Sequence, residues 1–247
     1  MKISVVTVAY NSEKTIANTI ASILNQEAKA GLSVEYLIID GASTDNTVVV
    51  AESFRERLEE KGVDYKIISE PDKGIYDAMN KGVALATGDV VGILNSDDWY
   101  EPDALKVVAD TFEATGFDMM YANIRLIKEN GDSILKKARL KKYITSRHWN
   151  HPTTFICRKV YDRFTYRLDN LYADLDMLIK IRKAGYHVEI VDRVLANFRM
   201  GGASNQKTLS AMLKRIRFRY NVYRSNGYSP LCIFECLVMD VGKFILS

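Results

Sequence analysis

Four short apolar runs, each closing on a polar cluster, set the strongest constraint on how this chain can fold. They are residues 3–9 (ISVVTVA), 34–40 (VEYLIID), 64–69 (DYKIIS) and 90–94 (VVGIL). Runs of β-branched and small apolar residues suit strands buried on both faces, and such strands belong to parallel sheets. Helical spacing fills the gaps. Asn11 and Ser12 offer cap chemistry ahead of Ile16, Ile20, Ile23 and Leu24. A second helix is expected after Ser43 and Asp45, and a third carries Tyr76, Met79 and Leu85. Strand and helix in alternation predict an α/β fold, a parallel sheet with helices on both faces.

Past residue 120 the rhythm changes. Residues 124–128 and 133–137 flank Glu129-Asn130-Gly131-Asp132, a hairpin pattern. Residues 153–157 read as a strand, 173–183 as a helix, and 205–225 and 231–246 as two more helices. With no repeat, low-complexity tract or linker, one continuous domain with a helical tail is expected. At 47% hydrophobic and 26% charged residues, the 247-residue chain has the composition of a packed domain, which excludes intrinsic disorder. Cys157, Cys232 and Cys236 are too few for a disulfide framework, so a reducing cytoplasm is expected. Three histidines, His148, His151 and His187, argue against a His-rich metal site. The opening apolar run is too short for a signal peptide, and no stretch reaches the roughly 18 uncharged residues of a membrane span.

In open parallel α/β sheets, ligands bind outside the carboxyl ends of the strands. The polar clusters fall there. The first strand delivers Thr7 and Tyr10-Asn11, the second Asp40, the third Glu70-Pro71-Asp72-Lys73, and the fourth Asn95-Ser96-Asp97-Asp98. Any one of these would serve as a turn or cap; four on one edge make a site. Adjacent carboxylates at Asp97 and Asp98 repel unless a positive charge is shared, and Mg²⁺ or Mn²⁺ with substrate phosphates fits. Neither G-x-x-x-x-G-K-[ST] nor G-x-G-x-x-G is present. A diphosphate would therefore be neutralised by metal and by cations such as Lys73.

The segments VVTVAYNSEKTIANTIASILNQ, VEYLIIDGASTDNT, SEPDKGIYDAMNKGVALATGDVVGILNSDDWY and GGAS, in this order, resemble the GT-A fold glycosyltransferases of family 2. The likeness is greatest to the bacterial branch that builds surface polysaccharides such as colanic acid, and it covers residues 1–204. It implies a nucleotide-binding half over 1–120, an acceptor half over 121–204 and a helical tail over 205–247. Residue by residue, it implies that Asp40 recognises the nucleotide base with Thr7 and Tyr10 beside it, and that Lys73 lies near the nucleotide. Asp97 is expected near the ribose and Asp98 on the metal. Ala173-Asp174-Leu175-Asp176 aligns with the stretch whose first Asp is the general base. Two departures stand out: Asp40-Gly41-Ala42-Ser43 replaces the usual Asp-Asp-Gly-Ser, and Ala173 replaces a frequent Glu.

The implied reaction is metal-dependent transfer of a sugar from a nucleotide sugar, a UDP-sugar for choice, with inversion. Asp174 would take the acceptor proton, with Asp176 as the rival base on another helical face. His151, held extended by Pro152, would contact acceptor or diphosphate just before the strand; a structural role is the competing reading. His148 and His187 read as structural. Gly201 and Gly202, in Gly201-Gly202-Ala203-Ser204, would form a flexible loop near the diphosphate, with a plain turn as the competing reading.

Charge is uneven along the chain. Lys136, Lys137, Arg139, Lys141, Lys142 and Arg147 form one acid-free run, and Lys207, Lys214, Arg215, Arg217, Arg219 and Arg224 a second. The second interleaves Leu213, Ile216, Phe218, Tyr220 and Tyr223. A basic amphipathic helix suggests an anionic membrane surface, against the alternative of a solvated face. The last helix sets Phe234, Leu237, Val238, Val241 and Ile245 apart from Glu235, Asp240 and Lys243. It is expected to dock on the domain, to pair with a second subunit as a homo-oligomer, or to lie in a membrane interface. A lipid-linked or oligosaccharide acceptor and a peripheral position at the inner face of the cell membrane accord with this. Nucleic acid is not expected, because no recognition module is evident. The competing classes are a sugar-phosphate nucleotidyltransferase, whose Gly-rich loop is absent after the first strand, and a non-catalytic nucleotide-sugar-binding protein.

Overall fold

The computed structural model describes residues 1–201 and 208–246. Its first half builds the predicted parallel layer: β1 (Lys2–Ala9), α1 (Ile16–Leu24), β2 (Ser33–Asp40), α2 (Thr47–Glu52), α3 (Arg55–Glu60), β3 (Asp64–Ser69), α4 (Ile75–Leu85) and β4 (Val90–Asn95). The strands run in the order β3-β2-β1-β4, all parallel. β1 is paired on both sides, and every residue from Ile3 to Ala9 is buried, which accounts for its unbroken apolar run. Strand β3 lies at the sheet edge, and Tyr65 is its one buried residue. Helix α4 packs closely on the sheet because Gly82 has no side chain; a Cβ there would overlap the Val6 methyl.

The second half is mixed rather than parallel. It comprises β5 (Trp99–Tyr100), α5 (Ala104–Thr115), β6 (Met119–Ile127), β7 (Ser133–Lys136), β8 (Phe155–Cys157), α6 (Arg158–Tyr161), α7 (Ala173–Lys183) and β9 (Val188–Arg199). β8 enters antiparallel between β4 and β6, whereas β9 pairs parallel with β6 and antiparallel with β5. Gly92 of β4 makes room for the Phe155 ring of β8, which a Cβ would overlap. The hairpin β6–β7 falls where Asn130 and Gly131 predict it. α5, β5 and β9 have no counterpart in the sequence reading. β9 is polar and half-buried along much of its length, so its apolar period is weak.

The region around His151 corrects an expectation. Residues 151–153 form a 3-10 turn, not extended chain, and the strand begins only at Phe155. Pro152 sits in the first turn, where a missing N–H costs nothing. Thr154 N–H closes the turn on the His151 carbonyl at 2.9 Å, and the Thr153 hydroxyl donates to Ala122 at 2.8 Å.

The tail forms α8 (Leu209–Ser225) and α9 (Cys232–Leu246). Here the basic runs do not form a uniformly solvated face. Arg215 and Arg219 turn inward and meet the fully buried Asp240 of α9 at 2.9 and 3.1 Å. Lys136 is half-buried, its ammonium enclosed and donating to the carbonyls of Ser146 and Trp149, and this burial lowers its pKa to about 8.

Candidate active site at the carboxyl edge of the sheet

The parallel register brings Ala9, Asp40 and Ser69 side by side at one edge, with Val8 beside Asn95. The loops that leave this edge are tied together. Asn11, in the left-handed region at φ 48°, donates its N–H to Ser43 Oγ and accepts from Thr44 N–H. Ser12 Oγ lies 2.8 Å from Ser96 Oγ, joining the ends of β1 and β4. Ala42 also has positive φ, 60°, an uncommon conformation for a side-chain-bearing residue and one concentrated at functional sites.

Asp40 is fully buried and its carboxylate accepts from Ser43 N–H, Ser43 Oγ and Ser69 Oγ at 2.9, 2.5 and 2.6 Å. It organises the loop after β2. Thr7 is a core position, its hydroxyl accepting from Tyr36 at 3.1 Å. Tyr10, by contrast, is 63% exposed. Its ring stands beside Gly41, where a Cβ would also strike the Asp72 carboxylate. An open ring on a glycine-floored edge is a platform on which a base can stack.

At the end of β4, Asp97 is half-buried and Asp98 wholly buried. Burial raises both pKa values, and Asp97 pushes Asp98 higher still, well above the usual carboxylate range. Asp98 Oδ1 accepts from Arg199 N–H at 3.1 Å, while its buried Oδ2 has no hydrogen-bond partner. An orphaned buried carboxylate oxygen beside a second carboxylate fits a divalent cation. Among the described residues no group of three or more His, Cys, Asp or Glu forms a ready cage. The remaining ligands would be donor phosphates and water, as is usual for Mg²⁺. The Arg199 guanidinium, stacked 5.2 Å over Trp99, is a cation beside the pair that sequence reasoning missed; its only signal is its place just before Gly201.

Asp174 lies in the first turn of α7. Its Oδ1 accepts from Tyr76 OH at 3.0 Å and from Leu175 N–H at 2.8 Å, and its Oδ2 stands 3.7 Å from His151 Nδ1. The Asp174 side chain is 20% exposed, open enough to meet a substrate. Burial lowers the His151 pKa and Asp174 partly restores it; Nε2 has no partner. Tyr76, read only as a helix-face residue in the sequence, is the second missed member. Asp176 is different. It is buried, accepting from Lys180 and Asn226 at 2.6 Å each, and so ties α7 to the α8–α9 turn.

A groove of about 290 Å³ opens between the start of α4, residues 168–171 and α8. Lys73, Tyr76, Leu168, Lys214 and Phe218 line it, so Lys73 faces α8 across the groove. Tyr76 thus borders the groove and holds Asp174 with its hydroxyl. Gly201, at φ 120°, sits against Glu129 of the hairpin, and Gly202 lies outside the described residues.

Residues 4–165, more than half of the chain, match the family described as Glycosyl transferase family 2. The chain belongs to that family. As a family 2 glycosyltransferase it has relatives among named synthases and glycosyltransferases. It is 29% identical over 191 residues to the chondroitin synthase of Pasteurella multocida, covering 74% of this chain and 19% of that protein. It is 38% identical over 98 residues to a PGL/p-HBAD biosynthesis glycosyltransferase of Mycobacterium tuberculosis, covering 39% of this chain and 37% of the relative. The chain therefore spans less than half the length of these relatives. In three dimensions it resembles TarS of S. aureus residues 1–349 in complex with UDP-GlcNAc, at TM-score 0.65 and 18% identity over all of this chain and 73% of that one. It resembles equally the mannosyltransferase PcManGT of Pyrobaculum calidifontis in complex with GDP-Man and Mn²⁺, at TM-score 0.66 and 17% identity, over 99% and 70%. The GT-A fold expected from the sequence is the fold of this glycosyltransferase. Among the described residues no helix is long and apolar enough to cross a membrane.

Proposed function

We propose that this glycosyltransferase is an inverting, metal-dependent enzyme. It moves a sugar from a nucleotide sugar, a UDP-sugar for choice, to a hydroxyl of a lipid-linked or oligosaccharide acceptor. The setting is assembly of bacterial surface polysaccharide at the inner face of the cell membrane. The observation that carries the reading is the Asp174 carboxylate, partly open and held by Tyr76, which itself lines the groove. The UDP-GlcNAc and GDP-Man complexes of TarS and PcManGT support the donor class, and the Mn²⁺ of the latter supports the metal. A chondroitin synthase among the relatives supports a glycan product.

In the mechanism, Tyr10 stacks on the base and the loop built around Asp40 positions the nucleoside. Asp98, with Asp97 beside it, would hold the cation; when bound it neutralises the diphosphate as that group departs. Arg199 and Lys73 add fixed positive charge. The acceptor oxygen attacks the anomeric carbon opposite the leaving diphosphate, and Asp174 takes its proton. One C–O bond forms, the anomeric bond to phosphate breaks, and configuration inverts. Tyr76 keeps one Asp174 oxygen occupied so that the other faces the acceptor.

The test is a donor-hydrolysis screen over UDP- and GDP-sugars with Mn²⁺ and with EDTA. Turnover of one donor that EDTA abolishes is expected. Turnover indifferent to EDTA would remove the metal, and a retained anomer by NMR would remove the inverting step.

A further inference from the structure

Helix α9 is packed the wrong way round for a helix in water. Its exposed side carries Leu231, at the turn before it, with Phe234, Leu237, Val238 and Val241; Phe234 is 63% and Val238 58% exposed. These positions recur at helical spacing, so they form one continuous stripe. The buried side carries Cys236 and the carboxylate of Asp240. What sets this rotation is the pair of arginines on α8: Arg215 and Arg219 both reach Asp240, and Arg219 also donates to Tyr172 OH at 2.8 Å. Turning the helix to bury its apolar stripe would expose that cluster's arginines to an apolar wall and leave them uncompensated. An apolar stripe of this kind marks a contact with something apolar.

The charge around the stripe decides what that is. Arg147 reaches the Met239 sulfur of α9 at 3.0 Å. Arg224 donates to the Tyr228 carbonyl in the α8–α9 turn, and Tyr143, 59% exposed, packs edge-on against Tyr228 at 5.5 Å. Through Tyr143 the surface continues to exposed Leu140, Lys141 and Lys142. No acid occurs from residue 133 to 149 or from 203 to 225. On α9, Asp240 is buried and Glu235 has one carboxylate oxygen buried. A second copy of the chain would set cation against cation across such a face, which disfavours self-pairing.

We propose that α9 and residues 139–147 form one docking surface for an anionic phospholipid membrane. The apolar stripe enters the headgroup boundary and the cations Lys141, Lys142, Arg147 and Arg224 meet lipid phosphates. This rests on the reading of the protein as a transferase at the membrane's inner face, and it names the part that touches lipid. Because Arg219 also holds Tyr172, two residues before Asp174, the same clamp that orients α9 borders the catalytic helix.

The experiment is flotation of the full chain with vesicles of phosphatidylcholine alone or mixed in equal parts with phosphatidylglycerol. Binding to the mixed vesicles only is expected, and it should weaken as salt screens the charges. Phe234→Ser with Val238→Ser should lower the affinity about tenfold or more, since each removes an apolar group that would leave water for the headgroup boundary. Lys141→Gln with Lys142→Gln should lower it about fivefold per charge. Both variants alter exposed residues, so unchanged melting curves show that they fold. Absence of binding to mixed vesicles, or binding indifferent to the Phe234/Val238 pair, overturns the surface. So does a dimer by light scattering that the same pair dissolves, which would make the occupant a second copy. Donor hydrolysis measured without vesicles is read separately: if it persists while flotation fails, the docking surface is lost and the transferase reading stands.

Discussion

The Tyr76 hydroxyl of α4 donates to Asp174 Oδ1 of α7 at 3.0 Å across 98 positions of chain, and also to the Leu171 carbonyl at 2.9 Å. Burial and the neighbouring Asp174 push the Tyr76 pKa well above its ordinary value, so it stays a donor throughout the working pH range. Tyr76→Phe removes this donor and keeps the ring. Turnover should fall roughly tenfold, about the value of one hydrogen bond to a charged group. Donor affinity by calorimetry should not change; loss of donor binding instead of turnover would refute the assignment.

Asp174→Asn should reduce transfer by a factor on the order of 10²–10⁴, typical of a lost general base. Nucleotide binding should be retained. Full activity in this variant would place the base elsewhere.

Asp176→Asn should act on folding, because Asp176 is buried between Lys180 and Asn226. A loss of about 1–3 kcal/mol in stability is expected for an impaired buried hydrogen-bonded charge, with transfer per folded molecule nearly intact. Denaturant melts and activity normalised to folded protein check this together; a large loss of activity at normal stability would make Asp176 the base.

Asp98→Asn should remove the Mn²⁺-linked part of UDP binding. Calorimetry of UDP with Mn²⁺ and then with excess EDTA separates the two parts. Equal affinity in both conditions for the unaltered protein would dismiss the metal.

Glu35, buried in β2, predicts the acid limb of stability. Burial alone would raise its pKa, but hydrogen bonds from Ser4, from the Thr87 N–H and hydroxyl, and from Lys2 outweigh it and hold the carboxyl at about 2, below its ordinary 4.5. A depressed carboxylate stabilises the fold above the unfolded pKa, and this is lost as pH falls from about 4.5 towards about 2. Glu35→Gln should therefore lower the melting temperature at neutral pH and flatten its fall in acid. An acid limb identical to that of the unaltered protein would refute the role.

Local pattern determined much of this molecule. Continuous apolar runs specified β1 to β4 because a strand buried on both faces needs no partner-specific information to be apolar. The polar residues that end those runs specified where a site forms, since every parallel strand delivers its carboxyl end to the same edge. As candidate site residues, Asp97 and Asp98 were legible on that basis and Asp174 through the family resemblance. Which polar groups stay open was not. Asp40 and Tyr10 close neighbouring strands, yet one is enclosed by Ser43 and Ser69 while the other stands in the open. Tyr76 meets Asp174, and Arg199 meets Asp98, only because the sheet and helices bring distant segments together. The tail makes the same point. Helical period tells which residues of α9 share a face, but not which face turns inward, and that was decided by the charge of Asp240 against Arg215 and Arg219, a pairing that exists only between packed helices.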